Sequence, residues 1–247
     1  MQIRSIFSKA LMVAGLAMVA STAAKASDRH GITYRVTVTN LTAGQPFTPP
    51  VVAVHNRRAD VYSLGEPVTE GVRQIAENGN LEPLITALSS DPNVSQVITG
   101  SAPIVPSGNP AGTAFDSEYT VEFTTSGRAR RLSIVSMLIC TNDGFTGIDS
   151  VRLPVRGKTT ILARGYDTRT EKNTEDFADI VPPCQGLIGV SSDDSGTGAS
   201  NPELAENGVI IPHPGVVGDN DLDPRVHDWA DPVARIVIER VSPRRYY

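Results

Sequence analysis

Residues 130–154 read RRLSIVSMLICTNDGFTGIDSVRLP, and this stretch carries the strongest structural signal in the chain. Residues 132–140 are apolar on both faces of an extended chain, which predicts a central strand of a covered sheet. Thr-Asn-Asp at 141–143 then indicates a turn, and residues 148–153 predict the next strand. Two strands joined by a short polar turn indicate a mainly β protein.

Further short segments alternate apolar and polar residues, and Gly, Pro, Asn and Asp separate them. The alternation of Val36 and Val38 with Thr37 and Thr39 is an example. The pattern predicts eight strands in all. The other strands are predicted at residues 34–39, 51–54, 94–99, 119–124, 159–166 and 233–241.

Two regions depart from the strand pattern. Between the second and third strands, apolar residues recur at helical spacing and predict two short helices at 67–78 and 81–89. Residues 186–232 are crowded with Gly, Ser, Asn, Asp and Pro, which predicts a long loop before the last strand, either functional or mobile. The expected fold is one eight-stranded antiparallel β-sandwich over residues 32–241, followed by a tail at 242–247.

The N-terminus has the features of a secretory signal peptide. Basic residues precede the uncharged run ALMVAGLAMVA at 10–20, and Ala24-Lys25-Ala26 provides small residues for cleavage after Ala26. We therefore expect residues 1–26 to be removed and the protein to be secreted or periplasmic. No other apolar run approaches the roughly 20 residues of a membrane-spanning helix, so we expect no transmembrane segment.

The charge of the chain argues against nucleic acid as a partner. Removal of residues 1–26, which hold three basic residues and no acidic one, would change the net charge from −5 to −8. Nucleic acid and anionic membranes attract clustered Lys and Arg. The basic residues occur in small groups that we interpret as solvated loop or strand-end charge. These groups are Arg57-Arg58, Arg128/Arg130/Arg131 and Arg244-Arg245.

The chain has two cysteines, Cys140 and Cys184. In an oxidising compartment the simplest interpretation is one disulfide bond between them. Two separate buried thiols are the alternative.

The order of several segments resembles bacterial members of the spondin N-terminal domain family. The most specific element is residues 136–153, where a strand, a Thr-Asn-Asp turn and Gly-Ile-Asp-Ser follow one another as in the animal motif Pro-Asp-Trp-x-x-Gly-x-Asp-Ser. The resemblance covers about residues 32–241. The other segments are YRVTVTNLTAGQPFTPPVVAVHN at 34–56, LITALSSDPNV at 84–94, ARGYDTRTEKNTED at 163–176 and DPVARIVIERV at 231–241.

This resemblance implies an eight-stranded sandwich related to C2 domains, with calcium bound by loops at one end. Calcium takes six to eight oxygen ligands, and the predicted ligands are Asp143, Asp149 and Asp167, with Glu171 four residues after Asp167. The alternative is that Asn142-Asp143-Gly144 is a hairpin turn and Asp149 a cap at a strand start.

A second acidic run, Asp219-x-Asp221-x-Asp223, does not match an EF-hand. The sixth position is Pro224 where that loop needs Gly, and the twelfth is Ala230 where it needs Glu. We interpret this run, and Asp193-Asp194, as solvated loop charge, and a second, weaker acidic site is the alternative.

Signals for an enzyme are weak. The four histidines lie outside the common hydrolase and nucleotide-binding motifs, although His227-Asp228 or His55 could be assembled into a hydrolase site with a loop serine. The leading hypothesis is a secreted, non-enzymatic binding or adhesion-type module with calcium and an unknown extracellular or cell-surface ligand. An exported His-based hydrolase and a passive structural envelope or matrix protein are the alternatives.

Overall fold

The computed structural model describes residues 31–241, so the predicted signal peptide and the tail at 242–247 lie outside the described residues. Within this range the chain is mainly β and forms ten strands. These are β1 (Ile32–Asn40), β2 (Val51–His55), β3 (Val94–Thr99), β4 (Glu118–Thr125), β5 (Arg131–Met137), β6 (Gly144–Arg152), β7 (Lys158–Ala163), β8 (Gly165–Asp167), β9 (Ile211–Pro212) and β10 (Ala234–Val241).

The strands form two antiparallel sheets. The order is β4-β1-β10-β7 in the four-stranded sheet and β3-β2-β5-β6-β8-β9 in the six-stranded sheet. In the smaller sheet the first and last strands are neighbours, with Thr33 opposite Val241 and Asn40 opposite Ala234. This arrangement is consistent with the predicted antiparallel sandwich.

Two helices, α1 (Glu70–Asn78) and α2 (Glu82–Ser90), lie between β2 and β3. The side chain of Thr69 caps α1 by accepting a hydrogen bond from the N–H of Val72, and Gly79 ends α1 with a left-handed backbone at φ 64°. Two shorter helices follow β8, namely α3 (Pro183–Ile188) and α4 (Pro224–His227).

The first core lies between the two sheets. Val36 and Ile236 of the small sheet are buried in the same cluster as Val52 and Ile134 of the large sheet. Their neighbours along each large-sheet strand point the other way, as the two-residue period of a strand requires.

A second core covers the outer face of the six-stranded sheet. Val135 and Met137 of β5 are buried there with Ile75 of α1, Leu84 of α2 and Leu187 of α3. The large sheet is therefore buried on both faces, and this explains why residues 132–140 are apolar on both faces.

The chain changes sheet within the segment predicted as one strand at 159–166. β7 belongs to the small sheet, whereas β8 belongs to the large sheet, with Arg164 between them. The crossing brings the backbone of Gly165 close to Trp229, since a Cβ at Gly165 would lie 3.1 Å from the indole Nε1. The predicted loop at 186–232 also holds β9 and α4, and its buried residues, among them Ile210 and Leu222, pack in the second core.

The disulfide prediction is confirmed, because Cys140 and Cys184 are bonded and their Cα atoms are 5.0 Å apart. The bond ties α3 to the turn after β5. None of the helices within residues 31–241 is long and apolar enough to cross a membrane.

Candidate metal site

The turn after β5 and the segment after β8 meet at one end of the large sheet. β6 begins at Gly144 and β8 ends at Asp167, and these two residues are paired in the antiparallel ladder. The pairing brings the Asp143 and Asp167 side chains into the same region. The tight turn also requires glycine at 144, because a Cβ there would lie 2.5 Å from Thr141 Oγ1.

The carboxylate of Asp143 is buried, and only one of its two oxygens accepts hydrogen bonds. Its Oδ2 accepts hydrogen bonds from Thr168 Oγ1 at 2.9 Å, from the N–H of Thr170 at 2.7 Å and from the N–H of Glu171 at 3.0 Å. Its Oδ1 is buried without a hydrogen-bond partner among the described residues. A buried, ionised carboxylate oxygen without a partner is costly, and a cation bound at this atom would reduce that cost.

Asp167 holds the start of the same loop. Its Oδ1 accepts a hydrogen bond from the N–H of Arg169 at 2.6 Å, and its Oδ2 accepts one from Asn173 Nδ2 at 2.9 Å. Arg169 has a positive φ of 54°, so the turn is tight. Each oxygen accepts one hydrogen bond in these contacts and retains a second lone pair.

Two carboxylic acids of this region have strongly raised pKa values. Burial, followed by the charge of Asp167, raises the pKa of Asp143 to about 7, although the donors of the loop oppose the rise. Burial also raises the pKa of Glu171 to about 7; the N–H of Asn201 opposes this, whereas Glu77 and Asp143 add to it. Desolvation and like charge both disfavour the ionised forms.

A positive partner for these groups is missing from the described residues. The ion pairs in residues 31–241 involve other carboxylates, and none includes Asp143, Asp167 or Glu171. Glu171 also lines a cleft of about 630 Å³ together with Glu77 and Arg73. The cleft opens the Glu171 side of the region to solvent.

Asp149 lies elsewhere in the fold. It follows Asp143 by six residues along β6, which corresponds to about 20 Å at ~3.3 Å per residue. Its Oδ1 accepts hydrogen bonds from Ser133 Oγ at 2.8 Å and from the N–H of Val61 at 3.1 Å. The structure thus brings together Asp143 and Asp167 of the predicted set and leaves Asp149 in a separate network. Nor does Asp149 cap a strand start, since β6 begins at Gly144.

A second acidic group lies elsewhere in the described chain. Asp176, Asp194 and Asp221 each present a carboxylate oxygen, and these atoms lie within 4.8 Å of one another. The three residues come from distant segments, and Asp194 and Asp221 are exposed. The Asp-x-Asp-x-Asp spacing was the available signal for Asp221, but the spacing could not reveal its neighbours.

His213 is a further neighbour that the sequence did not indicate. A Cβ at Gly144 would lie 3.1 Å from His213 Cδ2, so the ring packs against the turn. Its Nδ1 accepts a hydrogen bond from the N–H of Gly215 at 3.0 Å, whereas Nε2 is buried without a partner among the described residues. Burial lowers the pKa of His213 to about 4, so the ring is neutral near pH 7 with its proton on Nε2.

Comparison with known families adds a decisive observation. The family model described as Spondin_N matches residues 38–167, which is more than half of the chain. The chain belongs to the spondin N-terminal domain family. The matched part of this spondin domain includes Asp143 and Asp167, whereas Glu171 and the Asp176/Asp194/Asp221 group follow it. No curated protein matches the chain.

Proposed function

We propose that this spondin domain is an extracellular, non-enzymatic binding module of the adhesion type and that it holds a calcium ion at the Asp143 end of the large sheet. Family membership supports the extracellular binding role. The disulfide between Cys140 and Cys184 suits an oxidising compartment. The ligand of the module would be an extracellular or cell-surface molecule.

The observation that carries the calcium proposal is the buried Oδ1 of Asp143, which has no hydrogen-bond partner in residues 31–241. Calcium prefers carboxylate and carbonyl oxygens, and the region offers Asp143, Asp167 and Glu171. These three residues would hold the ion, and the loop after β8 would have to close around it, because only the Asp176/Asp194/Asp221 oxygens lie within 4.8 Å of one another in the described residues. The positive charge would favour the ionised carboxylates and stabilise the loop after β8.

The Asp176/Asp194/Asp221 group provides the comparison site. Its oxygens are close together, but two of its three residues are exposed, and water solvates exposed carboxylates at little cost. The cost of leaving an anion without a partner is much higher at Asp143, because Asp143 is fully buried. We therefore assign the ion to Asp143 rather than to the exposed group.

Thermal unfolding with and without calcium tests this proposal. After treatment with EDTA, excess calcium should raise the Tm by several degrees, since a ligand that binds only the folded state stabilises it by mass action. Asp143→Asn combined with Asp167→Asn should abolish the rise, while Asp194→Asn combined with Asp221→Asn should retain it. Absence of a calcium-dependent rise in the wild type would refute calcium binding.

A rise that disappears only in the Asp194/Asp221 variant would place the ion in the exposed group instead. Circular dichroism of the Asp143/Asp167 variant separates loss of the ion from loss of folding. That variant should keep the β spectrum, because an amide replaces each carboxylate without a change of size.

The hydrolase alternative has little support from the positions of the histidines. His55 Nε2 lies 2.8 Å from Ser133 Oγ, which donates to Asp149 Oδ1, so the serine lies between the histidine and the aspartate. A catalytic triad needs the histidine in the middle and an accessible serine, whereas both His55 and Ser133 are buried. His227 is also buried and contacts the backbone of Asp223.

Under the passive structural alternative, the protein would have the same fold and would also be exported. It differs because a passive component has no saturable partner. Titration of the labelled protein onto intact cells or extracellular material distinguishes the two, and saturable binding supports the adhesion role.

A further inference from the structure

A cleft of about 600 Å³ lies at the end of the molecule opposite Asp143. β6 connects the two ends, because Asp143 precedes its first residue and Arg152 is its last. We call this the arginine cleft, after the seven arginines that line it. They are Arg57, Arg58, Arg128, Arg130, Arg131, Arg152 and Arg240.

These arginines come from four separate parts of the chain. Arg57 and Arg58 follow β2, residues 128–131 lie in and just after the β4–β5 turn, Arg152 ends β6, and Arg240 belongs to β10. Neither Asp nor Glu lines the cleft. Two of the basic groups that look isolated in the sequence therefore converge on one concave surface.

The ion-pair pattern sets the arginine cleft apart from the rest of the described chain. Residues 31–241 contain fourteen arginines, and half of them line the cleft. None of those seven forms an ion pair with a carboxylate of the described residues, whereas six of the other seven do. The paired arginines are Arg35, Arg73, Arg164, Arg169, Arg225 and Arg235.

Backbone carbonyls orient three of the cleft arginines. Arg131 Nη1 donates to the carbonyl of Ser150 at 2.5 Å, Arg130 Nε donates to that of Gly127 at 3.2 Å, and Arg240 Nη1 donates to that of Val155. A guanidinium has five N–H donors. Each of these arginines therefore keeps donors for a ligand after its own positioning contact.

The cleft also has apolar walls. Tyr34, Leu153 and Val155 line it, and Val155 is 67% exposed. The hydroxyl of Tyr34 donates to the carbonyl of Pro154 at 3.1 Å, which fixes the ring beside the arginines. A ligand that fits these walls has an organic body as well as charge.

We propose that the arginine cleft binds a compact organic polyanion that carries at least two phosphate or sulfate ester groups. Like charges around one concave surface repel one another, and an anionic ligand removes this repulsion. Arginine pairs with oxyanions through two parallel hydrogen bonds. A phosphate or sulfate ester presents three terminal oxygens, so it accepts more of these donors than a carboxylate does. Because the arginines come from several sides, one ester group cannot contact them all.

The size of the cleft favours a compact ligand over a long polymer. Pockets of about 300–1,000 Å³ typically hold small molecules, and the arginine cleft lies within this range at about 600 Å³. The net charge of the chain is −5, which opposes the binding of extended nucleic acid outside the cleft.

Isothermal titration in EDTA at low salt tests the proposal with two probes, inositol hexakisphosphate and sucrose octasulfate. At least one probe should bind saturably, and the preferred probe identifies the ester class. Arg128→Gln combined with Arg130→Gln should weaken binding by roughly tenfold or more, because charged hydrogen bonds are lost. Both residues are exposed, so the variant should fold.

A matched control removes the same charge elsewhere. Arg164→Gln combined with Arg225→Gln changes the net charge equally, but neither residue lines the cleft. This control should bind within about twofold of the wild type. Equal weakening in both variants, or no saturable binding of either probe, overturns the proposal.

A second cleft variant combines Arg57→Gln with Arg58→Gln. It should weaken probe binding to a similar extent, which would show that a folding defect in the Arg128/Arg130 variant is not the cause. EDTA keeps calcium out of the titration, so failure of the calcium proposal and failure of this one are separate results.

Discussion

At the scale of single residues, Asp143 and Asp149 show how one motif serves two purposes. Asp143 accepts four hydrogen bonds on one oxygen and leaves the other without a partner in the described chain. Asp149 instead joins β6 to Ser133 of β5 and to the backbone of Val61. The second carboxylate therefore serves the fold, whereas we propose that the first serves a ligand.

Replacement of Asp149 tests this division. Asp149→Ala should lower the free energy of unfolding by about 1.5–3 kcal/mol, because two buried donors lose a charged acceptor. The calcium-dependent rise in Tm should persist in this variant. Urea unfolding and the calcium titration measure the two effects, and loss of the calcium response in a folded Asp149→Ala protein would return Asp149 to the metal site.

The pH dependence of stability tests the burial of Asp143 and Glu171. Their pKa values are raised from 3.8 and 4.5 to about 7, so the folded state keeps protons that the unfolded state releases. In EDTA, these two groups should therefore lower stability as the pH rises from about 4.5 through 7, and their effect should level off above about pH 8. The lowered pKa values of His213 and His227 act in the opposite direction, but only below about pH 6.5.

The measurement is the Tm in EDTA between pH 6.5 and 8.5. It should fall by a few degrees in the wild type, since 1 kcal/mol corresponds to about 2–4 °C in a domain of this size. The fall should be smaller in Asp143→Asn. A wild-type Tm that stays level or rises over this interval would contradict the raised pKa values.

At the scale of elements, the sequence predicted strands where the side-chain pattern was complete. Residues 132–140 predicted a covered central strand, and β5 is buried on both faces. The change of sheet at Arg164 was not predictable, because the alternation of a strand does not record which sheet it joins. β9 was missed because it has two residues and one of them is proline.

The position of Asp149 was wrong for a related reason. Gly144 and Gly147 made residues 144–147 look like part of a turn, so the strand was predicted to start at 148. The ladder instead begins at Gly144, and Gly147 is needed because a Cβ there would lie 1.9 Å from the carbonyl oxygen of Ile134. Asp143 and Asp167 were predictable together because each stands at a strand end.

The disulfide is an element-scale constraint with its own prediction. Cys140→Ala combined with Cys184→Ala should cost about 2–4 kcal/mol in unfolding free energy, because the bond restricts the unfolded chain. Urea unfolding measures this cost. Reduction of the wild type should reproduce the loss, and reduction of the double variant should have no effect. Equal stability of the two oxidised proteins would show that packing of α3 alone holds this layer.

At the scale of the whole molecule, charge is divided between the two ends. Buried and loop carboxylates surround the Asp143 end, whereas arginines that form no ion pair within residues 31–241 converge on the opposite cleft. The net charge of −5 conceals this division. It could not be predicted from the sequence, since the cleft arginines extend from position 57 to position 240 and meet only after the sheets have formed.

The pairing of β1 with β10 has a mechanical consequence. Thr33 lies opposite Val241, so the first and last described strands leave the fold at the same end, and Ile32 and Arg240 both border the arginine cleft. Tension between these two points would load the β1–β10 ladder from one end. Its hydrogen bonds would then be loaded one after another in an unzipping geometry, whereas in a shear geometry they would all bear the load at once. Under traction the domain would yield first beside the cleft, and the six-stranded sheet would yield later.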